Sequence, residues 1–545
     1  MRWGFFAMPA AGKVVGMQRD GEARSRTGND GTQHVTIDGA QAGAAERMAR
    51  AGDDAALAGR HRKALDLFDR VIEQFGDSHE PEVRRWVAGA MARKAEVLEQ
   101  DDSLTAALAV WDELVARFGA DRAPNLLSRV SLALDGKARL LKRLGRVEDA
   151  LRVRNEELAR YATMLPQPRP SARLHALMSK ATILSEQQRW RETVAVCQEL
   201  RAHARASSEG DAREYEAWSL LEEGTALRTL GEPADGLEVL NELLVRFGES
   251  SEGPVRYYVA LGMWQQAFAY RALGLSEQQI SVLTQLSERF ASATDPDVAK
   301  LVTQALYERA VCAYETGDGE QALPLFDAVI RRARGTTDRG LRSYSTWSAL
   351  RAAGLLADHG ATKDGLRVVD AAIYELKADE DRGDPSLWAQ LLLVKAELLS
   401  PGRFNEALVV IDAVLDRFFD SADPEQREFS ARALMFKMRI FNMLDQPDEA
   451  LQAFEQLVND GLEQAALTAI EAIERQRKGS HRPADRDILA NYLILKATIL
   501  YQLDHEGEAR SVLADLVADL EHEQAPNIRR IVAHAREVQR AWSAD

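Results

Sequence analysis

The chain has very few cysteines: two, Cys197 and Cys312, in 545 residues. Each lies in a helical pattern, so no disulfide framework is expected, and this usage is typical of a reducing compartment. No run of apolar residues approaches the roughly 18 that a membrane-spanning helix requires. The first residues, MRWGFFAMPAAGKVVGM, make a poor secretory signal. The sequence therefore predicts a cytoplasmic protein that has no membrane as partner.

Positive charge is also in short supply. The chain has 69 Lys and Arg residues against 85 Asp and Glu residues, and its formal net charge is −16. Non-specific affinity for nucleic acid comes from Lys and Arg side chains that replace the counterions of the phosphates. The excess of acid therefore argues against nucleic acid as a general partner.

Motifs of common catalytic and nucleotide-binding sites are missing, because the sequence contains no GxxxxGK[ST], GxGxxG or GxSxG. His-Glu pairs begin at His79, His505 and His522, but none has the further histidine that the zinc-protease helix motif HExxH requires. Cys197 lies on an apolar stripe, where a cysteine is more often a small buried hydrophobic residue than a nucleophile. The sequence predicts no cofactor, no metal and no enzymatic activity.

What the sequence does contain is a repeat. The stretch GRHRKALDLFDRVIEQFGD, residues 59–77, returns as ALAVWDELVARFGAD, GLEVLNELLVRFGES and ALVVIDAVLDRFFDS. One residue, usually small, precedes the apolar stripe of each amphipathic helix, and most copies are 43 residues apart, which predicts eleven copies of one unit. These residues are Ala64, Ala107, Ala150, Thr193, Gly236, Gln279, Ala322, Gly365, Ala407, Ala450 and Ala509.

A second helix precedes this one in each unit. It carries its own small residue twelve positions upstream, as in Ala95 before Ala107 and Ala497 before Ala509. Two small residues at a fixed offset allow two helices to cross closely, because larger side chains would push the axes apart. Glycines inside the unit and prolines between units are typical of helix ends and helix starts. Because no strand-like alternation of useful length occurs, the predicted fold class is all-α.

The two-helix unit, as in ARKAEVL followed by AALAVWDEL and in LILKATIL followed by EARSVLADL, resembles the tetratricopeptide repeat over roughly residues 41–520. The resemblance implies a right-handed α-solenoid of about eleven antiparallel helix pairs, with a concave groove that binds peptides or partner proteins. The usual unit of that family is about 34 residues long, and the surplus here lies between one helix pair and the next. A HEAT or armadillo-like array, with a period of about 40 to 47 residues, is the alternative.

Three parts of the chain depart from the repeat. Residues 1–40 have no periodicity and are predicted to be disordered, and residues 521–545 are predicted to form a capping helix. The interval between Ala450 and Ala509 leaves room for an additional helix and a basic loop at about 461–486, or alternatively for an overlong helix with a solvated end. An insertion in a repeat array often lies on its binding face, and a secondary basic site is predicted here at Arg475, Arg477, Lys478 and Arg482.

The main candidate binding site lies on the upstream helices of units five to eight, where positions expected to face the groove hold large aromatic residues. Exposed apolar patches usually mark interaction sites. The alternative is that adjacent units bury these rings. The residues are Trp218, Trp264, Phe268, Tyr307, Tyr314 and Trp347.

Several upstream helices also have a lysine directly before their small residue. Such lysines are interpreted as side chains whose methylene groups cover the neighbouring helix, with a ligand-binding ladder as the alternative. They are Lys94, Lys137, Lys180, Lys395 and Lys496.

The predicted function is that of a non-enzymatic scaffold that holds a peptide or a partner protein in its groove. A regulatory or sensor subunit that controls a separate effector enzyme is the first alternative. An enzyme whose site is assembled unconventionally on the groove is the second.

Overall fold

The structure is a computed structural model, and it describes residues 37–163, 170–377, 385–477, 483–523 and 525–544. All regular structure within these ranges is α-helical, as the sequence predicts. The chain divides into two units, Met1–Ala176 and Leu177–Asp545. Most of the segment predicted to be disordered, residues 1–40, lies outside the described residues, and residues 37–40 belong to the first helix.

The first unit contains six helices and part of a seventh within the described ranges. They pack in chain order, each against the next from α1 to α6. The boundary between the units falls inside α7. The helices are α1 (Ile37–Leu57), α2 (His61–Phe75), α3 (Pro81–Gln100), α4 (Leu104–Phe118), α5 (Pro124–Arg143), α6 (Val147–Thr163) and α7 (Pro170–Glu186).

The second unit continues the same alternation of longer and shorter helices. Its remaining helices within the described ranges are α8 (Trp190–Ala206), α9 (Ala212–Thr229), α10 (Pro233–Phe247), α11 (Gly253–Ala272), α12 (Ser276–Arg289), α13 (Pro296–Glu315), α14 (Gly319–Ala333), α15 (Arg339–Asp358), α16 (Thr362–Lys377), α17 (Pro385–Leu399), α18 (Phe404–Phe418), α19 (Pro424–Met443), α20 (Pro447–Asn459), α21 (Glu463–Arg477), α22 (Pro483–Gln502), α23 (Glu506–Leu520) and α24 (Pro526–Ala544).

The helices fall into two layers in each unit. We call the odd-numbered helices up to α19, together with α22, A helices, and the even-numbered helices up to α20, together with α23, B helices. In the first unit α3 packs against α1 and α5, and in the second unit the A helices from α9 to α19 pack each against the next. Successive B helices, within the described residues, make no more than isolated contacts with each other. Within the described residues, each unit is therefore an α-solenoid whose A helices form a continuous layer, from α1 to α5 in the first unit and from α9 to α19 in the second.

Small residues lie at the helix crossings, as the sequence predicts. Ala95 of α3 and Ala107 of α4 are both fully buried. At the crossing of α9 and α10, a Cβ atom added to Gly236 would lie 2.8 Å from the carbonyl oxygen of Gly224. Real Cβ atoms essentially never approach this closely, so this crossing requires glycine.

The turn between the A and B helix of a unit holds one residue in the left-handed conformation. Gly145, Gly231, Gly274 and Gly402 occupy this turn with φ between 71° and 117°. Other units use a residue with a side chain at the same place, with φ between 55° and 60°, and a search for glycine alone misses these turns. They are Asp102, Gln188, Asp445 and Asp504.

The arginine at the end of the recurring B-helix motif links one B helix to the previous one. Arg160 of α6 donates a hydrogen bond to the carbonyl oxygen of Gly119, just after α4, at 2.8 Å. Arg332 of α14 donates in the same way to Ala291, just after α12, at 3.1 Å. Carbonyl groups at a helix C-terminus have no intrahelical partner, and a cation there also complements the helix dipole. The recurrence of this motif therefore has a structural reason.

The extra residues before α22 form α21, a helix that is separate from α20. Gly461, between the two helices, has a φ of 62°. α21 packs against α19 and α22, and its residues Ala466 and Ile470 are fully buried. A solvated end of an overlong B helix would lack this burial.

The last helix, α24, occupies most of the segment predicted to cap the array. It packs against α22 and α23 and buries Ile528, Val532 and Ala535. The rings of Trp542 and Tyr501 stack with their centroids 4.4 Å apart. None of the helices in the described ranges is long and apolar enough to cross a membrane.

Candidate interaction site

The aromatic residues predicted as a binding cluster all lie on A helices, but they differ in exposure. Trp347 of α15 is 37% exposed, and Phe268 and Tyr314 are half-buried. The alternative of burial by adjacent helices applies to the rest, which are at most 8% exposed: Trp218, Trp264 and Tyr307.

A compact aromatic cluster joins α13 and α15. The ring centroids of Tyr307 and Tyr344 are 4.9 Å apart, and the Trp347 ring lies 5.6 Å from Tyr344 in an edge-to-face arrangement. The Arg351 guanidinium donates to the Tyr307 hydroxyl at 2.7 Å and lies 5.6 Å from its ring centroid. Aromatic pairs and cation–π contacts of this kind contribute about 0.5–1.5 kcal/mol each. Trp347 is therefore the exposed edge of a cluster that is already fixed in place.

Helix geometry brings these side chains to one side of α15. Tyr344, Trp347 and Arg351 follow at intervals of three and four residues, which places them on one face of a helix. One turn later comes Gly354, and a Cβ atom added there would meet no other atom within 4 Å. The surface beside Arg351 is therefore open.

Titratable groups of α13 lie next to this cluster. The Glu308 carboxylate is 3.5 Å from the Arg271 guanidinium of α11. Burial raises the pKa of Glu308, although the charge of Arg271 opposes that shift. Burial also raises the pKa of the Cys312 thiol, and Glu308 and Glu315 add to the effect. Cys312 is therefore a poor nucleophile near neutral pH.

A second arginine–aromatic contact joins α9 and α11. The Arg228 Nε atom donates to Gln265 Oε1 at 3.2 Å, and its guanidinium lies 5.8 Å from the Phe268 ring centroid. Phe268 packs edge-to-face against Trp264 with the ring centroids 5.0 Å apart. The A helices from α9 to α15 thus combine aromatic rings with guanidinium groups, and these are the side chains most enriched at interface hot spots.

The recurrent lysines form ion pairs between neighbouring helices. Each described pair joins the lysine of one helix to a carboxylate on the B helix or α21 before it, so the ammonium groups hold the stack together. A periodic acidic residue five positions after the small B-helix residue is the signal that sequence reasoning missed. The pairs are Lys94–Asp69, Lys137–Asp112, Lys395–Asp370, Lys437–Asp412 and Lys496–Glu474.

The A helices α9 and α11 carry other side chains at the position of the recurrent lysine. Glu223 of α9 is 2% exposed and accepts from Gln198 at 2.8 Å and from Arg201 at 2.5 Å. Gln266 of α11 is also buried and donates to Asn241 at 2.7 Å. The link between neighbouring units is thus buried and hydrogen-bonded at α9 and α11.

Only part of the predicted secondary basic site falls within the described residues. Arg475 is exposed, and it donates to the carbonyl oxygen of Glu471 in its own helix at 3.3 Å. The side chain of Arg477, together with Lys478 and Arg482, lies outside the described residues. The basic site therefore stays a prediction.

Groups that could carry catalysis are few in the described part of the chain. It contains no cluster of three or more His, Cys, Asp or Glu side chains that could hold a metal ion. Cys197 is fully buried, and burial raises the pKa of its thiol well above the ordinary value, with a further contribution from Glu222. Cys197 is therefore a core residue, as the sequence predicts.

No protein-family model and no curated protein matches the chain. Solved structures similar to it include the apo form of the quorum sensor NprR from B. thuringiensis, at 12% identity and a TM-score of 0.35, covering 68% of this chain and 97% of that one. A structure from work on a phosphorylation switch that controls the interaction between cadherin and β-catenin has 12% identity and a TM-score of 0.36. The match covers 87% of this chain and 99% of that one. The P58(IPK) TPR domain has 15% identity and a TM-score of 0.20, covering 73% and 98%. Within the described residues, the chain's own helix pairs, with small residues at their crossings, form an α-solenoid in each unit.

Proposed function

We propose that this chain is a non-enzymatic interaction scaffold that binds a peptide or a partner protein on the A-helix face of α13 and α15. The observation that carries the proposal is the 37% exposure of Trp347 at the edge of a packed cluster with Tyr344, Tyr307 and Arg351. A rigid aromatic side chain loses little conformational freedom when a partner covers it, so more of the contact energy appears as affinity. Two free cysteines support a cytoplasmic setting.

The cluster suits a partner segment that places an apolar or aromatic side chain beside a hydrogen-bond acceptor. Trp347 and Tyr344 offer ring surface, whereas Arg351 donates to the Tyr307 hydroxyl and keeps further donors for an incoming carbonyl or carboxylate group. The open turn at Gly354 leaves room for the partner's backbone. Both features lie on the same face of α15.

Affinity capture from the native cell, followed by mass spectrometry, tests this proposal. The full chain, its Trp347→Ala variant and its Tyr374→Ala variant serve as baits. Tyr374 is a matched control, because it is an aromatic side chain that is 76% exposed on the B helix α16. We expect a partner that the Trp347→Ala bait loses and the Tyr374→Ala bait keeps.

The reverse pattern, or equal capture by all three baits, would contradict a site on α13 and α15. Circular dichroism of each bait shows whether the fold is intact. Tyr374→Ala should melt close to the unaltered chain, since surface substitutions typically change the free energy of unfolding by less than about 0.5 kcal/mol. Trp347→Ala also loses ring contacts with Tyr344 and Tyr307 and should melt somewhat lower but remain folded.

A further inference from the structure

The regular stack is interrupted at α20. Every other B helix of the second unit packs against the helix that follows it in the array, as α18 packs against α19. α20 packs against α19, and in the part of the chain that the structure describes no other helix makes more than isolated contacts with it. α21 begins after the left-handed turn at Gly461 and packs against α19 and α22. Within the described residues, part of one side of α20 is exposed.

The apolar side chains on this side of α20 are more exposed than most of their equivalents on other B helices. Phe454 is only half-buried, and Leu451 is 54% exposed. The apolar residue at the position of Leu451 is 8% exposed in α10 and in α16, as Leu237 and Leu366, and 38% exposed in α12, as Ile280, so Leu451 is the most exposed of the four. In the five B helices from α10 to α18, the residue at the position of Phe454 is fully buried. These residues are Leu240, Leu283, Phe326, Val369 and Ile411.

An acidic residue on the same side of α20 also lacks its usual partner. Asp412 of α18 accepts Lys437 of the next A helix at 2.8 Å. Glu455 occupies the position of Asp412 on α20 and is exposed, and no cation pairs with it among the described residues. The next lysine in the series, Lys496, pairs instead with Glu474 of α21 at 3.1 Å.

We propose that this side of α20, formed by Leu451, Phe454 and Glu455, is a docking surface for an amphipathic helix of a partner protein. The other repeats show the chemistry of the helix that fits: it brings an apolar stripe to the B helix and a lysine to the acidic residue. The exposed Asp448 and Glu449 at the start of α20 add negative charge, which complements a basic helix. This surface is independent of Trp347.

The chain itself supplies a probe for this surface. A fluorescently labelled peptide of residues 424–443 reproduces α19, the helix that covers α18 and pairs its Lys437 with Asp412. Fluorescence anisotropy measures its binding to the full chain. We expect saturable binding that Leu451→Asp weakens at least about tenfold, as for an apolar anchor at an interface centre. Val409→Asp is the control, because Val409 is 69% exposed on the covered helix α18 and should leave the affinity unchanged.

A charge exchange tests the predicted lysine contact. Glu455→Lys in the protein should weaken binding of the unaltered peptide, and Lys437→Glu in the peptide should restore binding to that variant. Leu451 and Glu455 are both exposed, so circular dichroism should show that each protein variant keeps its fold and melting temperature.

Three outcomes would overturn the proposal. They are the absence of saturable binding, binding that Leu451→Asp leaves unchanged, and failure of the charge exchange to restore affinity. Sedimentation of the chain without peptide adds a further arm. If the chain self-associates and Leu451→Asp abolishes the association, a second copy covers α20 and the partner helix is wrong.

Discussion

The residue directly before the usually small crossing residue of each A helix makes different contacts in two groups of repeats. In α18 and α19 that position is an ion pair at the surface, since Lys437 and Asp412 keep 24% and 50% of their side-chain exposure. In α9 and α11 it is a buried hydrogen bond of Glu223 or Gln266. Surface ion pairs contribute about 0–1 kcal/mol, whereas breaking a buried charged pair costs about 3–5 kcal/mol. The comparison teaches that the buried contact of Glu223 should contribute more to stability than the surface pair of Lys437.

The largest expected effect on the free energy of unfolding comes from truncating a buried tryptophan, compared with a partly exposed one. Trp264→Ala removes a buried ring from the core of the second unit and should lower the free energy of unfolding by about 3–5 kcal/mol. Trp347→Ala removes a ring that is 37% exposed and contacts Tyr344 and Tyr307, and it should cost less, about 1–3 kcal/mol. Urea unfolding followed by circular dichroism measures both. Equal losses in the two variants would show that the rings do not differ in burial.

The buried contact of Glu223 should also separate clearly from the surface pair. Glu223→Ala leaves the Arg201 guanidinium without its carboxylate and should cost about 3–5 kcal/mol. Lys437→Ala, at the same position of α19, should cost about 1 kcal/mol or less.

Salt sharpens this contrast. Because salt screens exposed charges and leaves buried pairs largely unscreened, about 1 M NaCl should reduce the effect of Lys437→Ala and leave that of Glu223→Ala nearly intact. Urea unfolding at two salt concentrations is the measurement. If Glu223→Ala were the milder variant, the distinction between the two groups of repeats would be wrong.

The smallest effect concerns pH. Burial raises the pKa of Glu222 in the folded chain, although a hydrogen bond from Ser185 opposes the shift. The unfolded chain therefore loses this proton at a lower pH than the folded chain does. The stability that Glu222 provides is fully present below the ordinary glutamate pKa of 4.5 and is lost as the pH rises through the higher folded value.

Glu222→Gln should therefore raise the melting temperature near pH 8 and have little effect below about pH 4, where the glutamic acid is protonated in both states. Glu508→Gln is the control, because the side chain of Glu508 is 72% exposed. Calorimetric scans of both variants across this pH range check the sign. A Glu222→Gln variant that is less stable at pH 8 would contradict the assigned cause.

The repeat itself could be predicted from sequence because it depends on local patterns. Small residues such as Ala107 and Gly236 recur at most of the helix crossings, so their spacing is visible without a structure. The exposure of a ring is different. Trp264 and Trp347 both lie on A helices, but the first is buried in the core of the second unit, whereas the second is 37% exposed. Sequence periodicity does not distinguish these two environments.

The uncovered side of α20 has a similar origin. The length of the insertion predicts an extra helix, and α21 is present. The chain passes from α20 into α21 through the left-handed turn at Gly461, and Leu451 and Glu455 of α20 are exposed. The pattern of apolar residues on α20 does not predict the exposure of these two side chains.

The affinity of a captured partner for the purified chain tests most directly whether binding occurs on α13 and α15. Isothermal titration calorimetry measures the Kd of the full chain and of its Trp347→Ala and Tyr374→Ala variants. Truncating an aromatic anchor that binding desolvates commonly costs about 2 kcal/mol or more, so Trp347→Ala should raise the Kd at least about tenfold. Tyr374→Ala should stay within about twofold of the unaltered chain, because it lies on a B helix. An unchanged Kd for Trp347→Ala would contradict the proposed site.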